Sequence, residues 1–255
     1  MIKNNINKIN QIRKVLKKKL PCIGTFIQLA DTNSAEIIID NGYDWLAFDL
    51  EHGNISLSDL NNLIRVVDNS KSAPLVRLGS CSEYECKKVF EAGALGVIIP
   101  MVKNVENLNK IYEYSTWPPL GKRGVGYSRS NLYGKYFNEY MKHISQKPIF
   151  IPMIENIECV DNLEELMKLE YVDAFFIGPY DLSASLKVPG DFKNTTYTKT
   201  LNYIKKISKI YNKPLGIHLI EPNTKKLNKL IKDNYNFVAY SLDTVFLRYN
   251  SNFKI

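Results

Sequence analysis

Eight short apolar runs recur along this chain, and segments with helical spacing fill the intervals between them. The runs are 22–29 (CIGTFIQL), 45–50 (WLAFDL), 74–78 (PLVRL), 95–99 (LGVII), 149–154 (IFIPMI), 172–177 (VDAFFI), 214–219 (PLGIHL) and 236–240 (NFVAY). Helical patterns cover Ser34–Asn41, Leu57–Asn69, Glu83–Ala92, Asn104–Tyr114, Ile157–Leu169, Thr198–Tyr211 and Pro222–Asp233. Ser58 and Asn104 are read as caps and Pro222 as a first-turn proline. Strands that alternate with helices imply a parallel sheet. Eight such units within 255 residues predict an α/β fold, a closed (β/α)8 TIM barrel, rather than an open doubly wound sheet. An open sheet usually carries a Gly-rich turn after its first strand. The turn here reads QLADTNSAE, and no Walker A sequence occurs.

No linker divides the chain, so one domain is expected over 1–255, with the barrel at 21–248 and a helical extension at 1–20. In residues 7–20, Ile9, Ile12, Val15, Leu16 and Leu20 fall at helical intervals, which predicts an amphipathic helix packed onto the barrel. Two longer gaps, 101–148 and 178–213, hold the loop segments TWPPLGKRGVGYSRSNLYG and SLKVPGDFKN, and long loops inside a compact fold are usually functional.

The formal charge is +8, from 34 basic and 26 acidic residues. The excess is scattered lysine without interleaved aromatics, so a solvated surface that favours anionic substrates is expected, and no nucleic-acid partner. Cys22, Cys81, Cys86 and Cys159 form no CxxC and have no histidine at zinc spacing. Reduced, buried thiols in a cytoplasmic protein are the expectation. The N-terminus has no continuous apolar core of the kind a secretory signal needs, and the longest apolar stretches are too short to cross a bilayer. No membrane partner is expected.

Several of the apolar runs end on a polar group. Asp49, Glu51 and His52 close the second run, Arg77 the third and Glu155 the fifth, while Asp181 follows the sixth. In a parallel barrel these ends converge on one mouth, where active sites sit. Glu155 and Asp181 together suit one hard divalent cation, although a helix cap and a salt bridge would use the same residues. Arg77 can clamp a carboxylate or an enolate with its planar fork, or serve as a plain ion-pair partner. His52, oriented by a neighbouring acid, suits a general base. His143 and His218 are read as structural. A GxSxG motif is absent, no cysteine lies beside a plausible base, and no lysine occurs in any of the eight runs. Covalent Ser or Cys catalysis and a Schiff-base aldolase are therefore disfavoured, while metal-assisted enolisation stays available.

With those residues in place, the chain resembles the HpcH/HpaI aldolase family of metal-dependent pyruvate aldolases. The matching segments are GYDWLAFDLEHG (42–53), PLVRL (74–78), FEAGALGVIIPMV (90–102), WPPLGKRGVG (117–126), RSNLYG (129–134), PMIEN (152–156) and IGPYDLSASLKVPGDF (177–192). The resemblance implies a class II aldolase, a carbon–carbon lyase that reversibly cleaves a 2-keto-4-hydroxy acid to pyruvate and an aldehyde. It assigns His52 as base, Arg77 as enolate clamp, and Glu155 and Asp181 as ligands of Mg²⁺ or Mn²⁺, with Co²⁺ as the alternative. It pairs Glu91 with the histidine and puts Asp49 and Glu51 around metal-bound water. Met153 and Tyr180 join Arg77 and Asp181 as substrate contacts; Met153 stands where close relatives have glutamine, and Tyr180 where some have a small residue. A homo-oligomer, trimer or hexamer, is also implied. Two other readings are weighed: a citrate-lyase-β-like lyase acting on a CoA ester, which DxEH and GKRGVG fit less well, and a non-catalytic barrel serving as a binding or assembly protein.

Overall fold

The structure, a computed structural model, describes residues 1–251; positions 252–255 of the single-domain reading lie outside them. In chain order the first half runs α1 (Ile2–Lys17), β1 (Cys22–Ile27), α2 (Thr32–Ile39), β2 (Trp45–Asp49), α3 (Leu57–Val67), β3 (Ala73–Arg77), α4 (Glu83–Ala92), β4 (Gly96–Ile99) and α5 (Val105–Ser115). A 3₁₀ turn at Arg129–Asn131 and α6 (Phe137–His143) precede β5 (Ile149–Ile154), α7 (Ile157–Asp161), α8 (Leu163–Met167) and β6 (Phe175–Ile177). Then follow α9 (Pro179–Ser185), α10 (Thr195–Ile210), β7 (Leu215–Leu219), α11 (Thr224–Lys232), β8 (Tyr235–Leu242) and α12 (Asp243–Asn250). Each strand pairs in parallel with the next, and β1 pairs with β8, which closes an eight-stranded barrel.

Side chains alternate across the wall because successive Cβ atoms of a strand point to opposite faces. Phe26, Trp45, Ala47, Leu75, Ile98, Ile151, Met153, Phe176 and Phe237 fill the interior. Ile27, Leu46, Phe48, Val76, Val97, Phe150, Phe175 and Val238 face the helices. Trp45 stacks on Phe237 at 4.4 Å between ring centroids. Gly24 makes room for that indole: a Cβ there would meet Trp45 Cδ2 at 1.9 Å.

Helix α1 closes the barrel end where the strands begin. Its Ile2, Ile9, Ile12 and Leu16 join the interior cluster with Trp117, Tyr140 and Ile144. Arg13 bonds Asp173 at 2.7 Å, and buried Lys8 donates to Val67 O at 2.8 Å. The helix thus starts five residues earlier than residue 7 and stops at Lys17 rather than 20.

Other local expectations shift for identifiable reasons. The cap of α3 is Ser56, not Ser58, because Ser56 and Asp59 form a reciprocal capping box. Asn223 caps α11, which leaves Pro222 outside the helix. The segment Ile157–Leu169 is broken at Asn162, whose amide donates to Glu158 O and Lys103 O. Besides the expected α5 and α10, the two long gaps contain the 3₁₀ turn, α6 and α9.

Candidate active site

The C-terminal ends of the strands gather the polar residues into one mouth. Parallel register sets Asp49 directly beside Arg77 on adjacent strands. The guanidinium meets the carboxylate as a fork: Arg77 Nε donates to Asp49 Oδ1 at 2.8 Å and Nη2 to Oδ2 at 2.5 Å. Asp49 Oδ1 also accepts the backbone N–H of Glu51 at 3.2 Å and of His52 at 3.1 Å. Its Oδ2 accepts from Gln28 Nε2 at 2.9 Å. Burial opposes the Asp49 charge, but the Arg77 hydrogen bonds and charge outweigh it and hold the carboxyl below the usual range. Asp49 is fully buried. Its acceptor sites are spent on fixing Arg77 and the turn that carries Glu51 and His52.

Arg77 Nη1 lies 3.3 Å from Glu51 Oε2, and His52 Nε2 lies 3.9 Å from the same oxygen. Glu51 therefore stands between the guanidinium and the imidazole. The His52 side chain is 58% exposed, open to a ligand entering from solvent.

Glu155 follows β5 directly and is almost fully buried. One oxygen, Oε1, accepts the backbone N–H of Met101. The other, Oε2, lies against Gly178, where a Cβ would stand 2.7 Å from it and 3.2 Å from Met153 Cε. Only a glycine at the end of β6 lets the carboxylate lie there. Burial pushes the Glu155 pKa up to about 7, and the negative charges of Glu51 and Asp181 push the same way. Asp181 is exposed in the first turn of α9.

A buried carboxylate crowded by like charges is the electrostatic setting that a cation relieves. Among the described residues, no three His, Cys, Asp or Glu side chains converge on a complete metal cage. Glu155 and Asp181 are the carboxylates that would hold a hard divalent cation at this mouth.

The floor beneath these groups is apolar. The Arg77 guanidinium lies over the Phe26 ring at 4.8 Å, and Phe26 packs edge-on against Phe176 at 6.1 Å. Met153 is buried in this floor. Tyr180 is exposed at the rim and packs on Phe192 at 5.1 Å.

Glu91 lies elsewhere. It sits one residue from the end of α4, where the chain turns back to start β4, so it belongs to the opposite end of the barrel. Its partner is Lys88 at 3.4 Å, and within the chain it does not meet His52.

Two mouth residues escape sequence reading. Gln28 bridges Asp49 and Thr244, whose Oγ1 donates to Gln28 Oε1 at 3.2 Å. Asp243 is buried and accepts the backbone N–H groups of Gln28, Leu29 and Thr244, which ties the end of β8 to the end of β1. The alternation of β1 does carry a signal: residues 22, 24, 26 and 28 share one face, so Gln28 faces inward at the mouth.

Residues 22–248 match the family described as HpcH/HpaI aldolase/citrate lyase. The chain is 30% identical over 238 residues to the 2-keto-3-deoxy-L-rhamnonate aldolase of Escherichia coli (strain K12), covering 92% of this chain and 88% of that protein. It superposes on an HpcH/HpaI aldolase/citrate lyase family protein from Burkholderia cenocepacia J2315 with a TM-score of 0.88 at 24% identity, over 95% of this chain and 96% of the other. An HpcH/HpaI aldolase from Desulfitobacterium hafniense DCB-2 gives a TM-score of 0.83 at 21% identity, over 93% and 92%. The closed barrel, the gathered strand ends and a match spanning nearly the whole chain agree: the chain belongs to the HpcH/HpaI aldolase/citrate lyase family.

Proposed function

We propose that this chain is a divalent-metal-dependent aldolase that reversibly cleaves a 2-keto-4-hydroxy acid to pyruvate and an aldehyde. The observation that carries the reading is the gathering at one mouth of a buried carboxylate crowded by like charges, Glu155, a guanidinium locked by Asp49, Arg77, and an exposed imidazole, His52. The E. coli relative, named as an aldolase of a 2-keto-3-deoxy sugar acid, supports it.

Glu155 and Asp181 hold the cation, which when bound supplies Lewis-acid polarisation of the 2-oxo group. Mg²⁺ or Mn²⁺ suits two carboxylates, and Co²⁺ is the alternative. Arg77, fixed by Asp49, presents its remaining N–H groups to the developing enolate oxygen without having to reorganise. His52 takes the proton of the 4-hydroxyl as the C3–C4 bond breaks. The electron pair passes to the enolate, the aldehyde leaves, and protonation at C3 gives pyruvate. Glu51 steadies both Arg77 and His52. Met153 and Tyr180 contribute the floor and the rim of the substrate site. A homo-oligomeric assembly, trimer or hexamer, and a cytoplasmic setting belong to the same reading. Among the described residues no helix is long and apolar enough to cross a membrane.

The test is exchange of deuterium from solvent into the pyruvate methyl group, with Mg²⁺, Mn²⁺ or Co²⁺ added and no aldehyde present. Metal-dependent exchange is expected, and its absence with every metal would reject the aldolase. Cleavage of a 2-keto-4-hydroxy acid separates His52 from the metal ligands. His52→Ala is expected to lower kcat by about 10²–10⁴, the usual contribution of a general base, while Mn²⁺ affinity stays unchanged. An unaffected kcat would remove His52 from the mechanism.

A further inference from the structure

His218 occupies an interior where other positions are apolar. It is the second-last residue of β7, and its ring lies 4.9 Å, centroid to centroid, from Phe26. Arg77 lies over the same Phe26 ring. His218 thus stands inside the barrel beside the apolar floor of the proposed site. Its Nε2 lies 3.1 Å from the carbonyl oxygen of Ser241. A carbonyl only accepts, so Nε2 carries the hydrogen and Nδ1 the lone pair. The Ser241 carbonyl also accepts from Thr25 Oγ1 at 3.0 Å, which anchors this acceptor from β1 as well. Burial drives the pKa of the ring down to about 4, and the charge of Arg77 acts in the same direction, so the imidazole is neutral near pH 7. The bond to Ser241 is the one hydrogen bond of the ring among the described residues. His218 also lines a cavity of about 770 Å³ whose walls include Pro179 and Tyr180, the two residues before Asp181, together with Tyr197, Leu201 and Leu230 of α10 and α11.

We propose that His218 is a specificity-determining residue: its Nδ1 accepts a hydrogen bond from a hydroxyl next to the aldehyde carbon of the acceptor. The site then favours 2-hydroxyaldehydes over simple alkyl aldehydes. This rests on the aldolase reading above. Phe26, Met153 and Phe176 give a hydroxyl no partner, and apolar walls discriminate weakly against one. A fixed acceptor in such a wall favours the substrate that satisfies it and is left unpaired by one that does not.

The experiment compares aldol addition of pyruvate to glycolaldehyde and to acetaldehyde. In His218→Leu, the ratio of kcat/KM for the two aldehydes is expected to fall about tenfold, the worth of one hydrogen bond of ~1.4 kcal/mol. The loss should lie mainly in KM for glycolaldehyde. His218→Asn, whose side-chain oxygen can accept, should recover part of the ratio. A ratio unchanged in both variants overturns the proposal. A change seen only between hydroxypyruvate and pyruvate as donors overturns it too, because it puts the histidine at the donor half. Deuterium exchange into pyruvate by the unsubstituted protein reports enolisation alone, so its failure rejects the aldolase, whereas intact exchange with an unchanged ratio rejects only the role of His218.

Discussion

Replacement of Glu155 by Gln is expected to abolish divalent-cation binding and, in the same step, to raise the thermal midpoint of the metal-free protein. Glu155 is buried, and its folded pKa of about 7 stands above the ordinary 4.5. The folded state therefore binds more protons than the unfolded state between those values, and stability falls as pH rises from about 4.5 to about 7. Above that window the deficit is constant. Gln mimics the protonated carboxyl and can still accept from the Met101 N–H. The variant should match the parent near pH 4 and exceed it at pH 8 by about 3 kcal/mol. At this chain length that is a rise of roughly 6–12 °C. Mn²⁺ should raise the midpoint of the parent and leave that of the variant unmoved, since a ligand stabilises only a fold that binds it. Thermal melts at pH 4 and pH 8, with and without Mn²⁺, read both effects. A variant less stable than the parent at pH 8, or one that still responds to Mn²⁺, would contradict the assignment.

Arg77→Ala has the opposite sign and a larger cost. Asp49 is fully buried, and Arg77 supplies two of its five hydrogen bonds and its charge neutralisation. Removing one partner of a buried pair typically costs about 3–5 kcal/mol, because the other charge remains without water or a counterion. In the parent, the depressed Asp49 pKa gives stability that is present above the unfolded value of 3.8 and is lost as pH falls through the folded value below it. In the variant, only the hydrogen bonds from Gln28 and the backbone N–H groups oppose burial, so the gain in stability above pH 3.8 is expected to shrink. Urea melts from pH 3 to 8 separate the two profiles. Adding Asp49→Asn to Arg77→Ala should recover a large part of the loss, which a cavity effect would not allow. Arg77→Lys should keep more of the fold but still lose activity by about 10²–10³, since an ammonium has no fork to hold Asp49 and an enolate oxygen at once. Equal activity in the Lys variant would show that charge alone is needed.

How much of this was legible in the sequence varies residue by residue. The eight strands were readable because short continuous apolar runs, and the helical spacing between them, are local properties. The strand ends also pointed to His52, Arg77, Glu155 and Asp181, since polar residues that close buried strands have one place to go in a barrel. The cap at Ser56 was missed by two positions, because Ser56 and Ser58 both precede apolar helical spacing and only the bond to Asp59 distinguishes them. Gln28 passed as one more strand residue, because its partners Asp49 and Thr244 are 21 and 216 positions away. Glu91 was placed by its motif. The turn from α4 into β4 sets it at the far end of the barrel, beside Lys88.

The sequence by itself determined the barrel, the order of its elements and the family, because hydrophobic periodicity and ordered motifs require no knowledge of what lies across the sheet. It also named the chemical groups at the mouth. Tertiary structure decided what each group does there. The β2–β3 register joins Asp49 to Arg77, burial and two neighbouring carboxylates lift Glu155, and the Ser241 carbonyl fixes the tautomer of His218. Ion pairing and desolvation depend on atoms brought together from distant positions, and those neighbours exist only once the barrel has closed.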